Sequence, residues 1–190
     1  MMLTLVCLVE ESSAKALLEG VLPRILPPTV AVQYLVFQGK SDLEKNLTAK
    51  IRHWREPNSV FVVLRDQDSG DCVKIKQRLL ELAQNSGKPS ILIRVACRDL
   101  ESWVAGDWAA VAEAFDNPKL EGQRNKAKFR DPDILVNTVN ELRRIIPEYQ
   151  KTGGARRVGL FLSEARSQSR SFRTFCNGVR SLVAHERFNA

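Results

Sequence analysis

Two aspartates one residue apart, Asp66 and Asp68, follow the apolar run Val60, Phe61, Val62, Val63 and Leu64. Such a run is too short for a buried helix, and its β-branched and aromatic character predicts a strand covered on both faces. The breakers Ser69 and Gly70 close the stretch, and a helical pattern begins at Val73. Carboxylates at the carboxyl end of a buried strand lie on the edge where open α/β sheets place their ligands. Strand alternation can turn Asp66 and Asp68 to one side, with Gln67 opposite. Like charges held that close are costly, and a hard divalent cation relieves them. Mg²⁺ is commonly bound by one or two carboxylates together with waters and phosphate oxygens. Helix capping competes for the same residues, because Asp68 or Asp71 could N-cap the helix that follows. Spacing alone leaves both uses open.

The surrounding pattern says what must position these groups. Residues 3–9, LTLVCLV, read as a strand that ends at Glu10 and Glu11, with Ser12 or Ser13 capping a helix over 14–26 that Pro27-Pro28 stops. A second strand is expected over 30–37, then a turn and cap at Gln38-Gly39-Lys40-Ser41-Asp42, and a helix to about Trp54. The helix over 73–85 would turn Ile75, Leu79, Leu80 and Leu82 inward, and a fourth strand follows at 90–95. Strands alternating with helices predict an α/β fold with a mostly parallel four-stranded sheet flanked by helices. Right-handed crossovers bring the strand ends to one edge. Glu10, Glu11, Asp66, Asp68, Asp99 and Glu101 all fall near those ends.

After residue 95 the pattern changes. Helical segments around 98–107 and 108–115 carry Trp103 and Trp108, which fit a core better than a base-stacking platform. Residues 117–133 read as a polar, basic loop, 133–146 as a helix, Gly153-Gly154 as a hinge, and 155–164 as a short helix. A last amphipathic helix carries Phe172, Phe175, Val179 and Leu182. The expected division is an α/β core over 1–116 and a basic helical extension over 117–190 packed on it.

Composition narrows the function classes. At 190 residues, 44% of them hydrophobic, the chain is long enough for one sizeable core. No apolar run approaches the roughly 18 residues of a membrane span, and the start lacks the basic segment of a signal peptide. Four scattered cysteines without a CxxC pair point to reduced thiols in the cytoplasm. With only His53 and His185, a histidine-rich metal site or a Ser-His-Asp arrangement is poorly supported. Lys40-Ser41 lacks the upstream glycine of a phosphate-binding P-loop, since position 35 is Leu. Of the net charge of +7, the last forty residues carry +6, from eight basic and two acidic residues. An arginine-weighted surface suits a polyanion, because guanidinium pairs phosphate in a bidentate way. A solvated basic face is the competing explanation.

The order strand, Glu10, helix, two strands, Asp66-Gln67-Asp68 resembles the TOPRIM domain, the metal-binding fold shared by topoisomerases, DnaG-type primases and OLD-family nucleases. The segments LVEESSAKALL, FQGKSDL, LRDQDSGDC, RVACRDLESWVAGD, KFRDPD and SRSFRTF together resemble a family of short bacterial TOPRIM-like proteins of the OLD-nuclease type. Members are often encoded beside an AAA-type or ABC-type ATPase in antiphage systems. The resemblance implies that Glu10, Asp66 and Asp68 hold Mg²⁺, with Mn²⁺ as a substitute. Glu101 would be the further carboxylate of a second metal and Asp107 a weaker candidate. Two positions depart from the pattern: Glu11 stands where glycine is common, and Ala14 and Lys15 where OLD-type sequences carry an acid. One- and two-metal sites both stay open.

These readings converge on a metal-dependent nuclease. Its catalytic residues would be Glu10, Asp66, Asp68 and Glu101, and Lys126, Lys128, Arg130, Arg170 and Arg173 would hold flanking phosphates. Two other classes compete. One is a non-catalytic module that docks on an ATPase through Trp103 and Trp108 or the C-terminal helix. The other is phosphoryl chemistry on a small phosphorylated metabolite.

Overall fold

The computed structural model describes residues 2–189, with side chains through residue 186. Met1, Ala190 and the Arg187 side chain counted in the basic tail lie outside the described residues. Four parallel strands form one sheet: β1 (Leu3–Val9), β2 (Val30–Val36), β3 (Ser59–Asp66) and β4 (Ile91–Ala96), in the order β2-β1-β3-β4. The helices that link them are α1 (Ser12–Ile25), α2 (Lys40–Arg52) and α3 (Cys72–Gln84). Beyond β4 come α4 (Glu101–Ala105), α5 (Trp108–Ala114), α6 (Thr138–Ile145), α7 (Lys151–Gly159) and α8 (Arg170–Asn189).

Both central strands are buried on both faces, and their alternation sorts the core into two layers. Leu5, Cys7 and Val9 of β1, with Val60, Val62 and Leu64 of β3, face a large cluster that takes in α1, α4, α5, α7 and α8. Val6, Leu8, Phe61 and Val63 face the smaller cluster under α2 and α3. The chain steps from β1 outward to β2, then returns past β1 to β3. Right-handed crossovers therefore put α1 on one face and α2 and α3 on the other. The order reverses between β1 and β3, and crevices at such a switch point are where open α/β sheets bind ligands.

Several local expectations change. Neither Ser12 nor Ser13 caps α1; both are helical, the N-cap is Glu11, and the Ser13 hydroxyl turns back to the Glu11 carboxylate. Gly39 is the N-cap of α2 at φ 93°, and Asp42 closes the turn by accepting the Gln38 N–H at 2.9 Å. Leu80 of α3 is 40% exposed and Ala83 takes the inward position. Residues 117–133, expected as an ordered loop, wind into short 3₁₀ turns that bury Leu120 and Phe129. Helix α6 starts only at Thr138, leaving Ile134 exposed.

The Gly153-Gly154 pair is not a hinge, because both glycines lie inside α7. A Cβ on Gly154 would collide with the Tyr149 ring. Downstream in the same helix, Gly159 and Gly20 of α1 bring the two backbones into direct contact. Arg24 clips the crossing, donating from Nε to the Gly20 carbonyl at 2.9 Å and from Nη2 to the Gly159 carbonyl at 2.6 Å. Among the described residues no helix is long and apolar enough to cross a membrane.

Candidate functional site

Strand alternation decides where each group at the sheet edge points. Asp66 continues the series Val60, Val62, Leu64 and is 9% exposed, on the side of α4 and α7. Arg65 continues Phe61 and Val63 to the opposite face, where its guanidinium pairs with Glu44 of α2 and lies 3.9 Å from Glu10 Oε2. Glu10 Oε2 also accepts the Asp66 N–H at 3.2 Å, which ties the ends of β1 and β3 together at the switch point.

Asp68 does not share the side of Asp66. The strand ends at Asp66, and Asp68 sits in the left-handed region at φ 54°, so the two-residue alternation stops before it. Its N–H donates to the Arg98 carbonyl at 2.7 Å, and its carboxylate accepts from Lys40 Nζ at 2.9 Å. Arg98 is left-handed too, at φ 64°, with its N–H on the Gln67 side-chain oxygen at 3.1 Å. The turns after β3 and β4 therefore brace each other. Asp71, not Asp68, caps α3, accepting the N–H groups of Val73 at 2.8 Å and Lys74 at 3.0 Å.

Glu101, at the start of α4, has no solvent exposure, and neither carboxylate oxygen has a hydrogen-bond partner. Burial pushes its pKa up to about 7, with Asp99 and Glu11 adding to the rise and Lys151 opposing it. Asp66 rises well above the usual aspartate range through burial and the charges of Glu101 and Glu10. Burial also raises Glu10; the Asp66 N–H works against that and the Asp68 charge with it. Lys151, from the first turn of α7, pairs with Glu11. Burial works against its ammonium, but Glu101, Glu11 and Asp66 outweigh it and hold its pKa high.

Glu10, Asp66 and Glu101 thus lie along one sheet edge, with Asp68 at its rim, separated by Arg65, Lys40 and Lys151. The separation has a consequence for metal binding. Among the described residues no three His, Cys, Asp or Glu side chains stand together as a ready ligand array. The donor chemistry nevertheless fits a hard divalent cation: all four are carboxylates, and one is buried with both oxygens unmet. Asp107 does not join them. Its oxygens are taken by the Ala110 N–H at 3.1 Å, the Ser163 N–H at 2.9 Å and Arg166 at 3.2 Å, so it is a structural cap. Asp99 is likewise engaged, accepting the Ser102 N–H and hydroxyl at 3.0 Å each.

The two basic segments come together. Asp133 holds the N-terminus of α8, accepting from Ser169 Oγ at 2.6 Å and the Ser171 N–H at 2.8 Å, and Arg170 reaches Asp131 at 3.3 Å. Lys128 is paired with Glu141, and Arg173 donates to the Ser167 carbonyl at 3.2 Å. Lys126 and Arg130 are exposed beside them. Trp103 and Trp108 are fully buried, Trp103 donating to Ser171 Oγ at 2.7 Å. These two tryptophans are therefore core residues, and among the described residues the apolar face of α8 packs on the core as well.

Sequence reasoning missed Lys151, Glu11 as its partner, and the Arg65–Glu44 pair. The Val60–Leu64 alternation could have placed Arg65 opposite Asp66. Nothing local announces Lys151.

The fold, an α/β parallel sheet flanked by helices, is similar to the C-terminal region of the Burkholderia pseudomallei OLD protein. That match has 17% identity and a TM-score of 0.51, over 94% of this chain and 98% of that one. The C-terminal region of the Xanthomonas campestris pv. campestris OLD protein aligns at 16% identity and a TM-score of 0.50, over 97% of each chain. No curated protein matches the sequence. A family model described as "Domain of unknown function (DUF4276)" matches residues 9–180, and the chain belongs to that family.

Proposed function

We propose that the protein is a metal-dependent phosphodiesterase acting on DNA or RNA, with Glu10, Asp66, Asp68 and Glu101 holding Mg²⁺, or Mn²⁺ in its place. The observation that carries the reading is the Glu101 carboxylate, buried with both oxygens unmet at the switch-point edge that also holds Asp66 and Glu10. A buried carboxylate left unpaired takes up a proton or a cation, and a divalent cation is the one that hard oxygen donors select. Bound there, the cation supplies Lewis-acid polarisation of a phosphodiester and a more acidic water.

The chain's own residues do the rest. Glu10, anchored by the Asp66 N–H, is held as an acceptor between the ends of β1 and β3. Lys151 keeps an ammonium among Glu11, Glu101 and Asp66, where it offsets the charge of an incoming phosphate. Lys126, Lys128, Arg130, Arg170 and Arg173 bind the flanking backbone. The setting we infer is a cytoplasmic antiphage system in which the protein works with an AAA- or ABC-type ATPase.

The test is cleavage of supercoiled plasmid, single-stranded DNA and single-stranded RNA in Mg²⁺ or Mn²⁺, comparing wild type with Asp66→Asn and Glu101→Gln. EDTA-sensitive cleavage that falls to background in both variants is the expected result. Absence of cleavage by folded wild-type protein, alone and with an AAA- or ABC-type ATPase partner, would overturn the proposal.

A further inference from the structure

The two edges of the sheet are finished differently. Along β4, the Phe61 N–H donates to the Ser90 carbonyl at 3.1 Å and the Gln67 N–H to the Ala96 carbonyl at 2.9 Å. Even-numbered residues of β4 therefore bond to β3, and odd-numbered ones turn their backbone groups outward. That outward side is covered. Arg94 folds across it, donating from Nη1 to the Ile93 carbonyl at 2.9 Å and from Nε to the Thr174 carbonyl of α8 at 3.3 Å. Ser171 Oγ takes the Cys97 N–H at 3.4 Å. The guanidinium lies against Gly178, where a Cβ would collide with it, so α8 runs close along the edge. A charged side chain and a covering helix are two of the ways in which an edge strand is kept from pairing.

Strand β2 has neither. The Phe37 N–H donates to the Val9 carbonyl at 3.0 Å, which fixes odd-numbered residues toward β1 and turns the N–H and C=O of Val32, Tyr34 and Val36 outward. Among the described residues no hydrogen bond reaches these groups; on that side only the Val30 N–H is taken, by the Pro27 carbonyl at 3.0 Å. Residues 30–36, VAVQYLV, hold no charge, proline or glycine. One flank carries Lys15 and Glu19, 3.7 Å apart, with the lysine over the Tyr34 ring. On the other, a groove of about 640 Å³ beside Leu35 is lined by Lys50, His53, Trp54, Arg55 and Glu56.

We propose that β2 is the contact of a two-fold dimer, pairing antiparallel with β2 of a second copy about an axis through Gln33 and joining the two sheets into one. A row of unpaired N–H and C=O groups is a template for another strand, and this strand is complementary to itself. About that axis Tyr34 exchanges both backbone bonds with Val32 of the second copy, and aromatic residues opposite β-branched ones are favourable cross-strand pairs. Leu35 stands opposite Ala31, large against small, and Val36 opposite Val30. No like charges are opposed within the strand. Each flank carries both signs, so no single-sign field holds the copies apart. The groove beside Leu35 leaves the second copy room on the face of α2. The contact is isologous, the same patch serving both copies, and it is independent of the metal-site reading.

Sedimentation velocity of the full chain over a concentration series should show a species of twice the chain mass that grows with concentration. Val32→Pro removes an outward N–H and no bond to β1, so it should keep the wild-type circular dichroism spectrum and sediment as a monomer. Gln33→Cys tests the register, because a non-hydrogen-bonded antiparallel pair sets its Cα atoms about 4.5 Å apart, within disulfide reach. With oxidised glutathione it should give a covalent dimer that dithiothreitol reverses. Wild type should not cross-link, nor should Val36→Cys, which faces Val30 and not its own copy. Should Val32→Pro fail to fold, the cross-linking comparison decides alone. Wild type that stays monomeric at every concentration overturns the proposal. A dimer that survives Val32→Pro, with Gln33→Cys failing to cross-link, places the contact elsewhere and overturns it as well.

Discussion

A glutamate in the unfolded chain loses its proton near pH 4.5, whereas burial holds the Glu101 carboxyl in the folded protein up to about 7. Between those values the folded state keeps a proton that the unfolded state has released, so stability falls as pH rises. The contribution is complete below about pH 4.5 and is lost once pH passes about 7. Converted at the usual rate per pKa unit, the difference is roughly 3 kcal/mol. Urea unfolding of metal-free protein from pH 5 to 8 should therefore show wild type losing about that much more stability than Glu101→Gln. Asp66 and Glu10 shift in the same direction, so the slope that survives in the variant belongs to them. Parallel slopes in the two proteins would mean that Glu101 is solvated in solution. The same two residues show how far the sequence reaches at this scale. Asp66 and Glu10 are legible because the lengths of their apolar runs fix where the strands end. That Glu101 is buried and unmet is not legible, since it depends on α7 closing over it from a distant part of the chain.

Helix α7 delivers both Lys151 and the seat of Tyr149, and its own position depends on two glycines touching. A Cβ added to Gly20 would collide with the Gly159 backbone, and one added to Gly159 would meet the Leu17 carbonyl at 2.5 Å. Backbone cannot rotate out of the way as a side chain can, so the helices must separate. Gly20→Ala should therefore destabilise the protein by about 3 kcal/mol, the upper end of overpacking costs, read as a lower urea midpoint. Because Lys151 travels with α7, the variant should also bind Mn²⁺ differently, whereas Gly122→Ala, where a Cβ meets nothing, should change neither property. Elements built from local pattern were readable in advance: the four strands, the three linking helices and their alternation. The Gly153-Gly154 pair was not legible, because a sequence cannot distinguish a glycine that frees the backbone from one that admits a neighbour. Gly153-Gly154 looks like a hinge on composition, and packing against Tyr149 makes it part of a helix. Ile134 failed for a related reason: Pro132 and the Asp133 cap on α8 hold that segment in a 3₁₀ turn with Ile134 outside.

At the scale of the whole molecule the question is how an acidic edge and a basic surface would serve the one polyanion proposed as substrate. The surface is assembled from two distant segments, Lys126–Arg130 and the start of α8, joined through Asp131 and Asp133. It is coupled to α4 by the Trp103–Ser171 hydrogen bond, which sets the basic residues in fixed relation to the helix that carries Glu101. Its five cations are not equivalent. Lys128 is already neutralised by Glu141 and Arg170 faces Asp131, while no salt bridge reaches Lys126 or Arg130 among the described residues. Each phosphate contact releases condensed counterions and adds about 0.7–0.9 to the slope of log affinity against log salt. Lys126→Ala/Arg130→Ala should thus lower that slope by about 1.5, and Lys128→Ala should lower it by far less. A rise from 50 to 200 mM salt would then cost wild type roughly tenfold more affinity than it costs the double variant. Fluorescence anisotropy with a labelled single strand, in EDTA to prevent cleavage, measures this directly. An unchanged slope would move the polyanion off this face and toward Arg156 and Arg157, the exposed cations on α7, and the basic residues singled out by composition would then be a solvated surface.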